Sequence, residues 1–179
     1  EAFALQALLP SGLGGSGLVL LGVALSFLGM TALAGRLSGG GTATGFALAL
    51  LVAIGIGVHN FGEGLAIGAS FALGEIQLGT FLIVGFMLHN ITEGLGIAAP
   101  AAEGEPPGLG RLTALVLVAG APTIFGAWIG GYLTNDVLAV LFFSIAAGAA
   151  LQVVVEVVRY VARRAPGGLT SGYAIGGFL

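Results

Sequence analysis

The stretch His59-Asn60-Phe61-Gly62-Glu63-Gly64-Leu65-Ala66-Ile67 returns thirty positions later as His89-Asn90-Ile91-Thr92-Glu93-Gly94-Leu95-Gly96-Ile97. Each copy sits inside an apolar run of about 20 residues or more, the length a helix needs to cross a hydrocarbon core of roughly 30 Å. An ionisable side chain at mid-membrane costs at least about 2.5–3.5 kcal/mol, so residues of this kind need a reason to be there. Read as helices, the copies place His and Glu, four apart, on one face, with the Asn amide about 100° round. A single such pair would serve helix packing equally well. Two copies that hold every histidine of the chain argue for a shared task.

The rest of the composition supports a lipid setting. Of 179 residues, 57% are hydrophobic and 7% charged, against about 25% charged in a soluble domain. Bilayer interiors cannot satisfy free backbone groups, so each run is a helix or a barrel strand, and the runs lack the alternation of barrel strands. The reading is an all-α, polytopic transmembrane helix bundle in one domain, 1–179. The 34 glycines suit close helix contact in lipid, and Gly55-x-Gly57, Gly64-x-x-x-Gly68 and Gly126-x-x-x-Gly130 read as packing faces. There is no cysteine, so metal ligands must come from His, Glu, Asp, Asn or Gln. Nothing points to a nucleic-acid partner. The chain opens at Glu1 with no methionine and no positively charged leader, which predicts a missing start and at least one upstream helix.

Along the chain, residues 1–10 read as the end of a partial helix closed by the Gly-rich loop after Pro10. Spans follow at about 18–34, 44–71, 78–99, 112–133 and 137–161, and a partial one begins at 170–179. Gly74-Glu75-Ile76-Gln77 reads as a tight polar turn, and Pro100 to Gly108 as a loop in which Glu103 and Glu105 are solvated. If the spans alternate, Arg36, Arg111, Arg159, Arg163 and Arg164 fall on one side and Glu75 and Asp136 on the other. The excess of arginine places the first side in the cytoplasm of a cell with a plasma membrane or bacterial inner membrane.

The hairpin has a consequence for depth. His59 and Glu93 are equidistant from Ile76, as are Glu63 and His89, so in a tight antiparallel pair each His lies level with the other helix's Glu. Their centre falls about fifteen residues, or about 22 Å, from the turn. One compact cluster is expected, with His59, Glu63, His89 and Glu93 as metal ligands and Asn60 or Asn90 completing the shell. Imidazole and carboxylate suit Zn²⁺, Fe²⁺ or Mn²⁺ better than an all-oxygen ion such as Mg²⁺. Gln152 and Glu156 share a helix face and form a secondary ligand candidate, although Glu156 can also pair with Arg159. Pro122 predicts a kink that frees a backbone carbonyl.

The motifs His59-Asn60-x-x-Glu63-Gly64 and His89-Asn90-x-x-Glu93-Gly94 resemble those of the fourth and fifth helices of the ZIP (Zrt/Irt-like) metal transporters, in particular the GufA-like branch. Ala147-Gly148-Ala149 followed by an apolar run and Glu156 is similar to their seventh helix. The resemblance implies an eight-helix fold whose first helix and part of whose second lie outside this chain. It also implies a mid-membrane two-metal site, an elevator-like motion, a homodimer, and transport of Zn²⁺ and related ions (Cd²⁺, Mn²⁺, Fe²⁺) toward the cytoplasm, the ion being cargo and not a resident cofactor. Two positions depart from the family: Gly62 stands where a proline is common, and Ala121 where a glutamate often precedes the proline of the sixth helix and helps hold a second metal. Two other classes remain open on the residues alone: a membrane-embedded dinuclear metalloenzyme, and a proton channel using the same His and Glu groups.

Overall fold

The computed structural model describes residues 15–41, 43–103, 106–133 and 135–164. Among them there are five α-helices and no strand: α1 Gly15–Leu37, α2 Gly45–Ala72, α3 Ile76–Ala101, α4 Leu109–Gly130 and α5 Asp136–Arg164. All five are long and apolar enough to cross a membrane, and the chain reads as an integral membrane protein. The partial helices expected at 1–10 and 170–179 lie outside the described residues.

Helix α2 is the hub. It packs most extensively on α4, then on α3 and α5, while α1 packs mainly on α5. Its contact with α4 is built from glycines on both sides. A methyl group at Gly64 or Gly68 would run into the carbonyls of Thr123 and Ala127, and one at Gly126 or Gly130 into those of Phe61 and Leu65. The Gly64 and Gly126 faces anticipated from the small-x-x-x-small spacing therefore meet each other, backbone against backbone. Gly55 and Gly62 face α5 instead, against Val153 and Ala146. At position 62 a side chain would hold α5 away, which is a packing reason for glycine there. These contacts set α2 parallel to α4 and antiparallel to α3 and α5.

The turn between α2 and α3 is shorter than the sequence suggested. Gly74 adopts φ 77°, and the amides of Gly74 and Glu75 bond to the carbonyls of Phe71 and Ser70. This is a Schellman motif, which needs the left-handed conformation that glycine adopts without strain. Ile76 and Gln77 already belong to α3. Gly79 lies under the Phe71 ring, which a side chain at this position would have to displace, so the hairpin closes within its first turns.

Several helix ends differ from expectation. Helix α3 runs through Pro100 to Ala101. A proline one residue before the helix end gives up its own bond to the Gly96 carbonyl and crowds that carbonyl, but it interrupts no later turn. Helix α4 starts at Leu109 and ends at Gly130, about three residues before the expected 112–133, because the Gly108 carbonyl accepts from Arg111 and Leu112 and the Gly130-Gly131 pair ends it. Helix α1 extends at both ends of 18–34 and ends on Arg36-Leu37, a basic last turn that favours the helix dipole. Helix α5 begins one residue early, capped by Asn135, whose Oδ1 accepts from the Leu138 amide at 3.0 Å.

Glu103 is a correction of another kind. Its carboxylate is not free in solvent: Oε2 accepts the Gly45 amide at 3.2 Å, at the first turn of α2. An anion is favoured at a helix N-terminus by the exposed amides and the dipole. Arg111 lies over the Phe46 ring, its guanidinium carbon 5.4 Å from the centroid. The start of α2, the loop after α3 and the start of α4 are thereby held together at the end of the bundle where α1 and α5 finish in arginines.

Candidate metal centre

Helix α3 is exposed over most of its surface, and its only inward stripe runs through Leu82, Phe86, His89, Asn90, Glu93, Gly96, Ile97 and Pro100. The spacing is that of one helix face. The polar members of the second motif thus occupy the face that meets α2. On α2, by contrast, nearly every side around the first motif is covered, and Asn60 and Glu63 are buried.

The two motifs converge. His89 Nε2 lies 2.7 Å from Glu63 Oε1, His59 Nε2 lies 3.5 Å from the same oxygen, and His89 Nε2 lies 3.6 Å from Glu93 Oε1. The imidazole rings stack with centroids 6.2 Å apart, and the edge of Phe86 packs on His89. His59, His89 and Glu93 each offer one ligand atom within 4.8 Å of the others. Donors in a tetrahedral shell of 2.0–2.1 Å radius stand about 3.3 Å apart, so these separations bracket what a metal ion requires.

Satisfaction of the polar atoms supports the same chemistry. Both oxygens of Glu63, Oε2 of Glu93 and Oδ1 of Asn60 are buried without a hydrogen-bond partner among the described residues. The 2.7 Å approach of His89 to Glu63 is therefore an electrostatic contact off the hydrogen-bond direction. Leaving one buried acceptor unsatisfied costs about 1–3 kcal/mol, so a cluster of them converging from two helices is a place for a cation.

The asparagines divide their roles. Asn60 Nδ2 donates to Asn90 Oδ1 at 3.1 Å and to the Ala119 carbonyl at 3.0 Å. Because a backbone carbonyl can only accept, the Asn60 amide is oriented with its nitrogen toward α4 and its oxygen away. Pro122 lacks the amide hydrogen that would bond to Val118, and Gly57 packs directly on the Val118 carbonyl. Helix α4 is nonetheless continuous through Pro122, three residues after the Ala119 carbonyl on which Asn60 docks. Sequence reasoning anticipated a freed carbonyl but missed the use of its neighbour Ala119 as the anchor for a site residue. No local signal marked Ala119, since the carbonyl that Pro122 leaves without its helix bond is that of Val118.

Gln152 and Glu156 are both buried on α5 and form a string of their own. Gln152 Nε2 donates to Glu156 Oε1 at 3.2 Å, and Arg159 Nη1 donates to the same oxygen at 3.0 Å. The structure brings His59, Glu63, His89 and Glu93 into one cluster, with the Asn60–Asn90 bond beside them, and leaves Gln152 and Glu156 paired along their own helix.

No family model matches the chain, and neither does any curated protein or solved structure.

Proposed function

We propose that this chain carries a divalent metal ion, Zn²⁺ foremost, across a membrane, held at mid-depth by His59, Glu63, His89 and Glu93. The observation that carries the reading is the convergence of two His-x-x-x-Glu faces from adjacent membrane-length helices on one group of unsatisfied donors. Charge supports it further. A divalent ion with two carboxylates and two neutral imidazoles makes a complex of zero net charge, the form least costly to hold in a low-dielectric medium. A monovalent ion would leave one negative charge and a trivalent ion one positive. Mid-membrane depth between helices is where alternating-access carriers hold their substrate, and the motifs resemble those of the ZIP transporters.

In this reading Glu63, the more deeply buried carboxylate, is the fixed ligand, and Glu93, on the exposed helix, is the one that exchanges. Asn60 holds the α2 side of the site against α4. The arginine-bearing end is cytoplasmic, and cargo moves toward it.

Reconstitution into sealed vesicles with a metal-sensitive dye inside tests the proposal. Uptake of Zn²⁺, with Cd²⁺, Mn²⁺ and Fe²⁺ compared, should saturate and should be measured with and without a pH gradient. Proton flux without metal would replace the reading by a channel, and tight metal binding with no flux by a metalloenzyme.

A further inference from the structure

Two cavities line up behind the centre, in the cleft between α3 and α5. The first, of about 270 Å³, is bounded by His59, Thr92 and Glu93 on its polar side and by valines of α2 and α5 on the other. The second, of about 110 Å³, is bounded by Leu48, Pro100 and Tyr160. Val52, Gly96 and Val157 wall both. Leu48 lies near the start of α2, Pro100 near the end of α3 and Tyr160 near the end of α5, so the second cavity points to the arginine-bearing end. Glu63 borders neither.

The sizes separate the two. The first cavity, beside the metal centre, has more than twice the volume of the second. The second is walled by apolar groups, and an apolar constriction of that kind blocks ions by staying dry until it widens.

We propose that the α3–α5 cleft is the path between the metal centre and the arginine-bearing end of the protein, with Gly96 at the wall of its narrow part. The inference rests on the proposed function for what moves, and on the cavities for where. Gly96 is the position at which this wall can be altered alone. A Cβ added there meets nothing within 4 Å, and Gly96 lines both cavities, so a side chain can be added to this wall without a clash at Cβ. Thr92, in the place that Gly62 takes in the first motif, borders the first cavity, its hydroxyl donating to the His89 carbonyl of its own helix at 2.6 Å. The two copies have thus diverged, one to pack α5 and one to face the cavity.

The test is Gly96→Leu, with Gly85→Leu as the control, since Gly85 is on the exposed side of the same helix and also has nothing within 4 Å. Zn²⁺ binding to the detergent-solubilised Gly96→Leu protein should stay within about threefold of the parent, which also reports its folding. Its vesicle uptake should fall at least about tenfold, with Gly85→Leu unchanged. Uptake by Gly96→Leu at the parent rate overturns the path. A second measurement does not depend on transport. The chain has no cysteine, so Gly96→Cys carries a single thiol, which a small water-soluble methanethiosulfonate should modify, and modification should stop uptake in the protein that transported before it. An unreactive thiol overturns the path even if the parent transports. A parent that moves no metal while this thiol reacts overturns the proposed function and leaves the water path standing.

Discussion

His89 of α3 stands closer to Glu63 of α2, at 2.7 Å, than either histidine stands to the glutamate of its own helix, at 3.5 and 3.6 Å. The centre is thus a property of the hairpin, and neither motif alone reproduces it. The coupling between these two residues is measurable. His89→Ala and Glu63→Ala should each lower Zn²⁺ affinity by more than the ten- to a hundredfold typical of an outer-shell partner, about 1.4–2.7 kcal/mol. The double variant should lose much less than the sum, because residues in contact are not additive. Equilibrium dialysis of the four proteins gives the cycle, and strict additivity would mean that the two do not share an ion.

Acid should weaken binding. Metal coordination needs a neutral imidazole and an ionised carboxylate, so each proton that must leave on binding makes affinity fall as pH falls, by up to about tenfold per pH unit per proton. With two histidines and two carboxylates in the centre, the fall should steepen as more of these groups take up protons. A His59→Ala, His89→Ala protein that transports with the parent's pH profile would remove both residues from the ligand set.

Asn60 and Asn90 are joined to each other, yet their loss should be unequal. Asn60→Ala breaks the tie to Ala119 as well as the one to Asn90, and should cost about ten- to a hundredfold in metal affinity. Asn90→Ala leaves the Ala119 bond intact and should cost less. Equal losses in a binding assay would show that the α4 carbonyl plays no part in orienting the site.

Gly64→Ala and Gly126→Ala each put a methyl against a backbone carbonyl of the facing helix. Overpacking of this kind costs about 1–3 kcal/mol, so the midpoint of thermal unfolding in detergent should drop for both. Gly85→Ala meets nothing and gains helix propensity, and should leave the midpoint level or raise it. A drop at Gly85 equal to that at Gly64 would mean that the glycines act through helix propensity and not through contact.

Single cysteines at Ser38 and Glu75 test sidedness. Ser38 follows the last turn of α1 at the arginine end, and Glu75 sits in the α2–α3 turn. An impermeant thiol reagent should reach only Glu75→Cys from outside intact cells. Labelling of both from the same side would dismiss the topology.

The register of the two motifs was legible from the sequence, because a helix rises a fixed amount per residue and a three-residue turn leaves little slack. The pairing of His89 with Glu63 follows from their equal distance to Ile76. The glycine faces were legible as faces, but not their partners: nothing in Gly64-x-x-x-Gly68 says that α4 and not α5 covers it. Glu103 misled for a related reason. Its neighbours are loop residues, and the amide it caps lies 58 positions away, beyond any local pattern. The tie from Asn60 to Ala119 was equally hidden, since which helix receives a polar side chain depends on how three helices stack.

The Schellman turn at Gly74 also bears on how the chain enters the bilayer during synthesis. Helix α3 is the least hydropathic of the five spans and would partition poorly by itself while carrying His89, Asn90 and Glu93. Joined to α2 by three residues, it has no room to wait outside, and the two helices must insert as one unit in which the charges of one already face those of the other. Lengthening the turn with a flexible Gly-Ser segment between Gly74 and Glu75 should therefore lower the inserted fraction of α3, read by glycosylation mapping in microsomes. An unchanged fraction would mean that α3 partitions independently.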